Sequence, residues 1–328
     1  MNIGDIARMA GVSKATVSRY MNNGYISEDK KKIISKIINE TGYKPSSYAI
    51  TLRTKKTGMV AVIIPKISSE SVSRMVEGIS STLTKNNYKL LLANTFNDAK
   101  EEVNYIKALN EYKVDGIILL GTLITEDHLK CLKESKIPIV VLAQKVEDNP
   151  CIYYDDFEAA RKITEAMIKN SKKVAYIGVS NEDVAAGFLR YRGFLQACQN
   201  TGIKKENIYF TNASFDIESG YQNARKVLSE VNDIDSVFCS TDTIAFGFMK
   251  YAKEIKKSIP NDIQIVGIGN NPLCDVVSPK LTSVSYPYKQ GGIEAARLLL
   301  KIMKGHKIEN KEVMLECEVV ERESIREH

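Results

Sequence analysis

Lys14, Thr16, Ser18 and Arg19 stand close together in GVSKATVSRYMNN, residues 11–23, separated only by the small Ala15 and by Val17. Two hydroxyls, an ammonium and a guanidinium supply hydrogen-bond donors and positive charge. No carboxylate or histidine accompanies them. This is recognition chemistry: such side chains reach phosphate oxygens and the edges of bases. Bond-making chemistry is poorly supplied. The chain has no GxxxxGK[ST] loop, no HExxH pair and no metal-spaced Cys/His set. GIGNNP (267–272) lacks the third glycine of a dinucleotide turn and does not open the first strand–helix turn. Of the three histidines, His306 follows a glycine and His328 ends the sequence, and no carboxylate pair stands out. Neither enzyme activity, a cofactor nor a metal is expected.

The elements that would position the donors can be read around them. Ile3, Ile6, Ala7 and Met9/Ala10 recur at helical spacing, as do Val12, Val17 and Tyr20/Met21. Gly11 between the two runs suits a sharp corner, and Ser13 suits an N-cap. The spacing predicts a helix-turn-helix whose second helix turns Lys14, Ala15, Thr16, Ser18 and Arg19 outward, a shape that enters a major groove. A generic helix pair would explain the pattern without DNA. SEDKKKIISKIINETGY predicts a third helix with Ser27 as cap, Ile33, Ile34, Ile37 and Ile38 as buried stripe, and Gly42 as stop.

Charge supports the DNA reading. The chain carries a formal net charge of +6, but residues 1–58 hold eleven Lys/Arg against four Asp/Glu, and the rest is nearly balanced. A basic segment this small favours polyphosphate through counterion release, although a solvated helical face would look similar. With 328 residues and 44% hydrophobic content, there is room for a further domain or two. Six scattered cysteines suggest a reducing compartment. No apolar leader or membrane-length run is present, so a cytoplasmic protein away from membranes is expected.

From residue 58 apolar runs alternate with helical segments. MVAVIIP, YKLLLANT, DGIILLG, PIVVLA and CIYYDD form one series; KVAYIGV, NIYFTN, SVFCSTD, IQIVGIG and LTSVSYP form another. Continuous apolar strands between helices predict parallel sheets covered on both faces, hence two doubly wound α/β subdomains behind an α-helical head. Ligands in such folds sit at strand carboxyl ends, here in the cleft between the halves.

The segment from IGDIARMAGVSKATVSRYMNNGY to TLRTKKTGMVAVIIP, and the closing VVERES, resemble the lactose/galactose-repressor family over essentially the whole chain. The resemblance implies a periplasmic-binding-protein type I core. It also implies boundaries: a head at 1–45, a hinge at 46–57 and a core at 58–328. The core divides into an N-subdomain (58–157 and 289–315) and a C-subdomain (158–288 and 316–328). It makes Lys14 and Ala15 the operator-discriminating pair and Thr16, Ser18 and Arg19 base or phosphate contacts. Asn22 and Tyr43 would grip the backbone. In KPSSYAITLRTKKTG, Leu52 takes the place of a minor-groove wedge, followed by Arg53. Ser46 and Ile50 depart from the commoner Asn and Arg.

For the cleft, the resemblance makes Arg190 the ligand-holding arginine, with a surface salt bridge as the plain alternative, and Phe215 the aromatic wall. Thr241 stands where Asn is usual. Asp242 either touches ligand or caps the next helix. Gln144 and Gly269 replace usual aspartates, which argues against a cationic ligand, and Asn270 follows. Ser69, Ser71, Asn94 and Phe96 come from neighbouring loops. A sugar or sugar-phosphate effector is expected, with IIPKISSESVSRMVEGI suggesting sucrose or another fructose-containing sugar. The implied protein is a homodimeric repressor on a pseudo-palindromic double-stranded operator, released when effector changes the angle between subdomains. The absence of a Leu heptad tail favours a dimer over a tetramer. A co-repressor- or phosphoprotein-dependent regulator and a transport solute-binding protein are the competing readings.

Overall fold

The computed structural model describes residues 1–22, 24–43, 56–112 and 114–327. The chain forms two compact units, residues 1–57 and 58–328.

In the first unit, α1 (Ile3–Met9) is capped by Asn2, whose side chain accepts from the Gly4 and Asp5 amides while Asp5 accepts from the Asn2 amide. Gly11 turns the corner at a φ of 60°, a left-handed conformation costly for other residues. Ser13 then caps α2 (Lys14–Met21) by accepting from the Thr16 amide at 3.2 Å. The third helix, α3 (Glu28–Thr41), ends before Gly42. Ile6, Ala7, Ala10, Val17, Ile34 and Ile37 form the small core. Two expectations need correction. Ile33 is 47% exposed, because the buried arc of α3 is centred on Ile34 and Ile37. Ser27 precedes α3 in extended conformation but makes no side-chain capping bond.

Among the described residues, the second unit holds two six-stranded sheets. In the first, β1 (Met59–Ile64), β2 (Lys89–Asn94), β3 (Gly116–Leu119), β4 (Ile139–Leu142) and β5 (Cys151–Tyr154) are joined by β11 (Glu312–Leu315), in the order β11-β5-β4-β3-β1-β2. The second contains β6 (Val174–Gly178), β7 (Ile208–Asn212), β8 (Ser236–Cys239), β9 (Gln264–Ile268), β10 (Thr282–Ser285) and β12 (Glu318–Val320), in the order β12-β10-β9-β8-β6-β7. The central strands β1, β3 and β4 are buried and apolar, as strands covered on both faces require. The covering helices are α4 (Glu70–Lys85), α5 (Ala99–Glu111), α6 (Glu126–Glu134) and α7 (Asp156–Ile168) after β1, β2, β3 and β5. They continue with α8 (Arg190–Asn200), α9 (Ile217–Glu230), α10 (Asp242–Glu254) and α11 (Tyr288–Met303), and a π-helical turn, Val184–Leu189, leads into α8.

The sheets are parallel as expected except at one edge. β12 runs antiparallel to β10. β11 is an additional strand, a short EVML run that is only partly buried. Edge strand β2 leaves Leu91 43% and Leu92 36% exposed.

Candidate functional site

In the first unit, Lys14, Ala15 and Arg19 of α2 are exposed, while Thr16 and Ser18 are half-buried. The Thr16 hydroxyl lies 3.0 Å from the Ser13 hydroxyl, so the cap also orients it. The Asn22 side-chain Nδ2 donates to the Ser18 carbonyl at 2.5 Å, closing the last turn. Tyr43 packs beside the helical core. Leu52 and Arg53, like Ser46 and Ile50, lie outside the described residues.

The second unit contains a cavity of about 490 Å3 at the carboxyl ends of strands from both sheets. Ser69, Ser71, Gln144, Arg190, Phe215, Thr241 and Asp242 line it. Three residues expected there do not. Asn94 instead accepts from the Ile67 amide at 3.0 Å and shapes the neighbouring loop. Phe96, at a φ of 56°, points 80% of its surface outward. Asn270 turns its side-chain oxygen to Arg322 Nη2 at 2.8 Å, while its neighbours Gly269 and Asn271 take the wall positions.

Arg190 is buried and ion-paired, not a surface residue. Its Nε donates to Asp156 Oδ1 at 2.7 Å and its Nη1 to the Ser240 carbonyl at 2.5 Å. The Tyr286 hydroxyl donates to the same Asp156 oxygen at 2.9 Å. Burial is the largest influence and works against the Arg190 charge, but Asp156, Tyr286 and Tyr288 together raise the pKa. The pair therefore locks the guanidinium plane on the cavity wall. Tyr154, Tyr286 and Tyr288 pack ring to ring beside it, with centroids 5.0 to 5.5 Å apart. The Tyr154 hydroxyl is buried with no hydrogen-bond partner among the described residues, and Tyr154 lines the cavity.

Gln144 donates from Nε2 to the Thr122 carbonyl at 2.9 Å and to Asp183 Oδ1 at 3.0 Å, joining an element of the first sheet to one of the second. An aspartate at 144 would set two carboxylates against each other; the amide makes a hydrogen bond of the same approach. Burial raises the Asp183 pKa, partly offset by the Ala186 amide and Gln144. A second bridge runs from Arg74 of α4 to the carbonyls of Gly269 and Asn270, both at 3.5 Å.

Of the two roles open to Asp242, helix capping belongs to Thr241, whose hydroxyl accepts from the Ile244 amide. Asp242 accepts from the Ser283 hydroxyl at 2.5 Å and the Asn271 amide at 2.7 Å, holding the 269–271 loop against the cavity. Gly269 accommodates this arrangement: its φ is 134°, and an added Cβ would sit 3.2 Å from Asp242 Oδ2. Burial raises the pKa of Asp242, and likewise of Glu70, where Arg74 counteracts it. Sequence reasoning missed Asp156, Asp183, Glu70 and the tyrosines. The doubled acid in CIYYDD was the one available signal.

Among the described residues, no group of three or more His, Cys, Asp or Glu is arranged to hold a metal ion. No helix there is long and apolar enough to cross a membrane.

Residues 2–46 match the model of the bacterial regulatory proteins, lacI family, and residues 168–325 match a periplasmic binding protein-like domain. The sucrose operon repressor of Staphylococcus xylosus is 30% identical over 97% of this chain and 98% of its own. A lacI-family regulator from Enterococcus faecium, solved with bound ribose, is 26% identical; the match covers 81% of this chain and 98% of that one, with a TM-score of 0.74. The lac repressor dimer, solved on operator with the anti-inducer ONPF, is 20% identical over 99% and 98% of the two chains and shares the fold at a TM-score of 0.88.

Proposed function

The chain belongs to the lacI family of bacterial regulatory proteins, and from that premise we propose that it is a transcriptional repressor whose operator affinity is set by a small carbohydrate in the cavity of the second unit. The observation that carries the effector half of the proposal is that cavity. It is sugar-sized, and its wall presents a fixed guanidinium, the Ser69 and Ser71 hydroxyls and the Phe215 ring together. A planar donor fork suits vicinal hydroxyls, and an aromatic face suits the C–H side of a sugar ring. The names of the relatives, one a sucrose operon repressor and another solved with ribose, support the same ligand class.

The DNA half rests on α2. Lys14, Ala15, Thr16, Ser18 and Arg19 would face the major groove with Asn22 beside them, and Leu52 and Arg53 would act from the hinge, 46–57. A homodimer presenting two such heads reads a pseudo-palindrome. The exposed Leu91 and Leu92 on edge strand β2 favour a second copy, because an open apolar edge is otherwise a liability. In this reading the core moves as the two subdomains named above. Gln144–Asp183 and Arg74 with the Gly269 and Asn270 carbonyls are then the contacts through which ligand biases closure.

The test uses the full chain. DNA selected from a random pool should carry an inverted repeat, and one of sucrose, fructose, ribose or cellobiose should change its affinity for the chain. A ligand at about 100 times its Kd stabilises by ~2.7 kcal/mol, a clear thermal shift. Phe215→Ala should need at least about tenfold more sugar, since a stacked aromatic and its burial are worth more than 1 kcal/mol. Selected DNA without an inverted repeat, or a variant responding like the parent, would overturn the respective half.

A further inference from the structure

The cavity wall says more about its ligand than size alone. Four helices turn their N-terminal ends toward it, α4, α7, α9 and α10, and Asp183 ahead of the π-helical turn lines it too. Helix N-termini ordinarily attract phosphate, because free amides and the helix dipole both favour negative charge. Each of these ends also carries a carboxylate of the protein, two of them on the helix's own amides. Glu70 and Asp156 stand at the first positions of α4 and α7. Asp183 accepts from the Ala186 amide at 2.9 Å, Asp216 accepts from the Ser219 amide at 2.7 Å, and Asp242 opens α10. The basic side chains on the wall are Lys66 and Arg190, and Arg190 is committed to Asp156.

The wall is thus rich in acceptors and anionic in sum. Asp156, Asp183 and Asp216 each keep one carboxylate oxygen outside the hydrogen bonds described. Such a surface is met by a ligand that brings O–H donors. A phosphate brings only acceptors and negative charge to a wall on which five carboxylates face two basic side chains. Two aspartates absent from positions 144 and 269 had pointed away from positive ligands; the carboxylates assembled from elsewhere restore the negative wall.

We infer that the cavity takes a carbohydrate without phosphate and discriminates against the phosphate ester of the same sugar. This rests on the carbohydrate reading above. The full chain is melted with matched pairs: sucrose and sucrose 6-phosphate, fructose and fructose 6-phosphate, ribose and ribose 5-phosphate, cellobiose and its 6-phosphate. At least one free sugar should raise the melting temperature, and its ester should need at least about tenfold higher concentration for the same rise, as like charges in a low-dielectric site require. An ester acting at equal or lower concentration overturns the inference and leaves the carbohydrate reading standing. If no member of any pair shifts melting or DNA binding, the carbohydrate reading falls and takes this inference with it. Asp216→Asn keeps a good helix cap while removing one charge. It should narrow the free-sugar-to-ester ratio by about threefold, equivalent to ~0.65 kcal/mol. An unchanged ratio in a variant that melts like the parent means that the Asp216 carboxylate is not a source of the selectivity and refutes this part of the argument.

Discussion

On the α2 face, Lys14, Ala15 and Arg19 are exposed and wait for a partner; on the cavity wall most polar side chains already hold one another. The residue types overlap, yet their settings differ. The α2 donors lie on one eight-residue helix over an apolar core of Ile6, Val17, Ile34 and Ile37, so in the proposed role their energetic work would be done on binding. The wall is built from loops more than a hundred residues apart, and its polar groups must first satisfy each other because they are out of water. Substitutions should therefore separate cleanly: recognition without stability in the head, stability before recognition in the cavity.

The contrast is sharpest at Asp156. Asp156→Ala removes the partner of a guanidinium that is 9% exposed and also strands the Tyr286 hydroxyl. Breaking a buried pair from one side costs about 3–5 kcal/mol. Denaturant titration of the second unit should show a loss of that order, and a loss under 1 kcal/mol would mean that solvent readily reaches Arg190. In the head, Arg19→Ala should leave melting unchanged. It should cost ~1–3 kcal/mol on a selected operator if the side chain reads a guanine, and much less on random DNA. Anisotropy titrations against both DNAs check this, and equal losses would assign Arg19 to phosphate alone.

The same contrast explains what the sequence disclosed. The head was legible because its determinants are local: the Ser13 cap, the Gly11 corner and the apolar spacing occupy a few consecutive residues. Ten strands were legible as apolar runs between helices, and the runs left out β11 and β12, four and three residues long at the sheet edges, the second of them antiparallel. Cavity residues such as Arg190, Phe215 and Gln144 were reached through the family pattern. What they pair with was not, since Asp156 lies 34 positions from Arg190 and Asp183 lies 39 from Gln144, with no local periodicity connecting them. Asn94, Phe96 and Asn270 show the converse failure. They are polar or aromatic residues near strand ends, but local backbone geometry and neighbouring bonds turn them away from the cavity.

The smallest effect should appear as a slope. Burial raises the Asp183 pKa above the ordinary value of 3.8. A carboxylate whose folded pKa lies above its unfolded one binds its proton more tightly when folded. Its contribution is then fully present below the unfolded value and is lost as pH rises through the folded one. Asp183→Asn keeps an oxygen for the Gln144 and Ala186 donors and removes the titration. The stability of the variant relative to the parent should therefore rise between pH 3.8 and neutrality and level off above the folded pKa. Among the described residues of the head no carboxylate is buried, so Arg19→Ala should show no such slope. Parallel curves for Asp183→Asn and the parent would mean that Gln144 and the Ala186 amide hold the charge as well as water does. The cavity wall would then be as free of stored desolvation cost as the exposed helix.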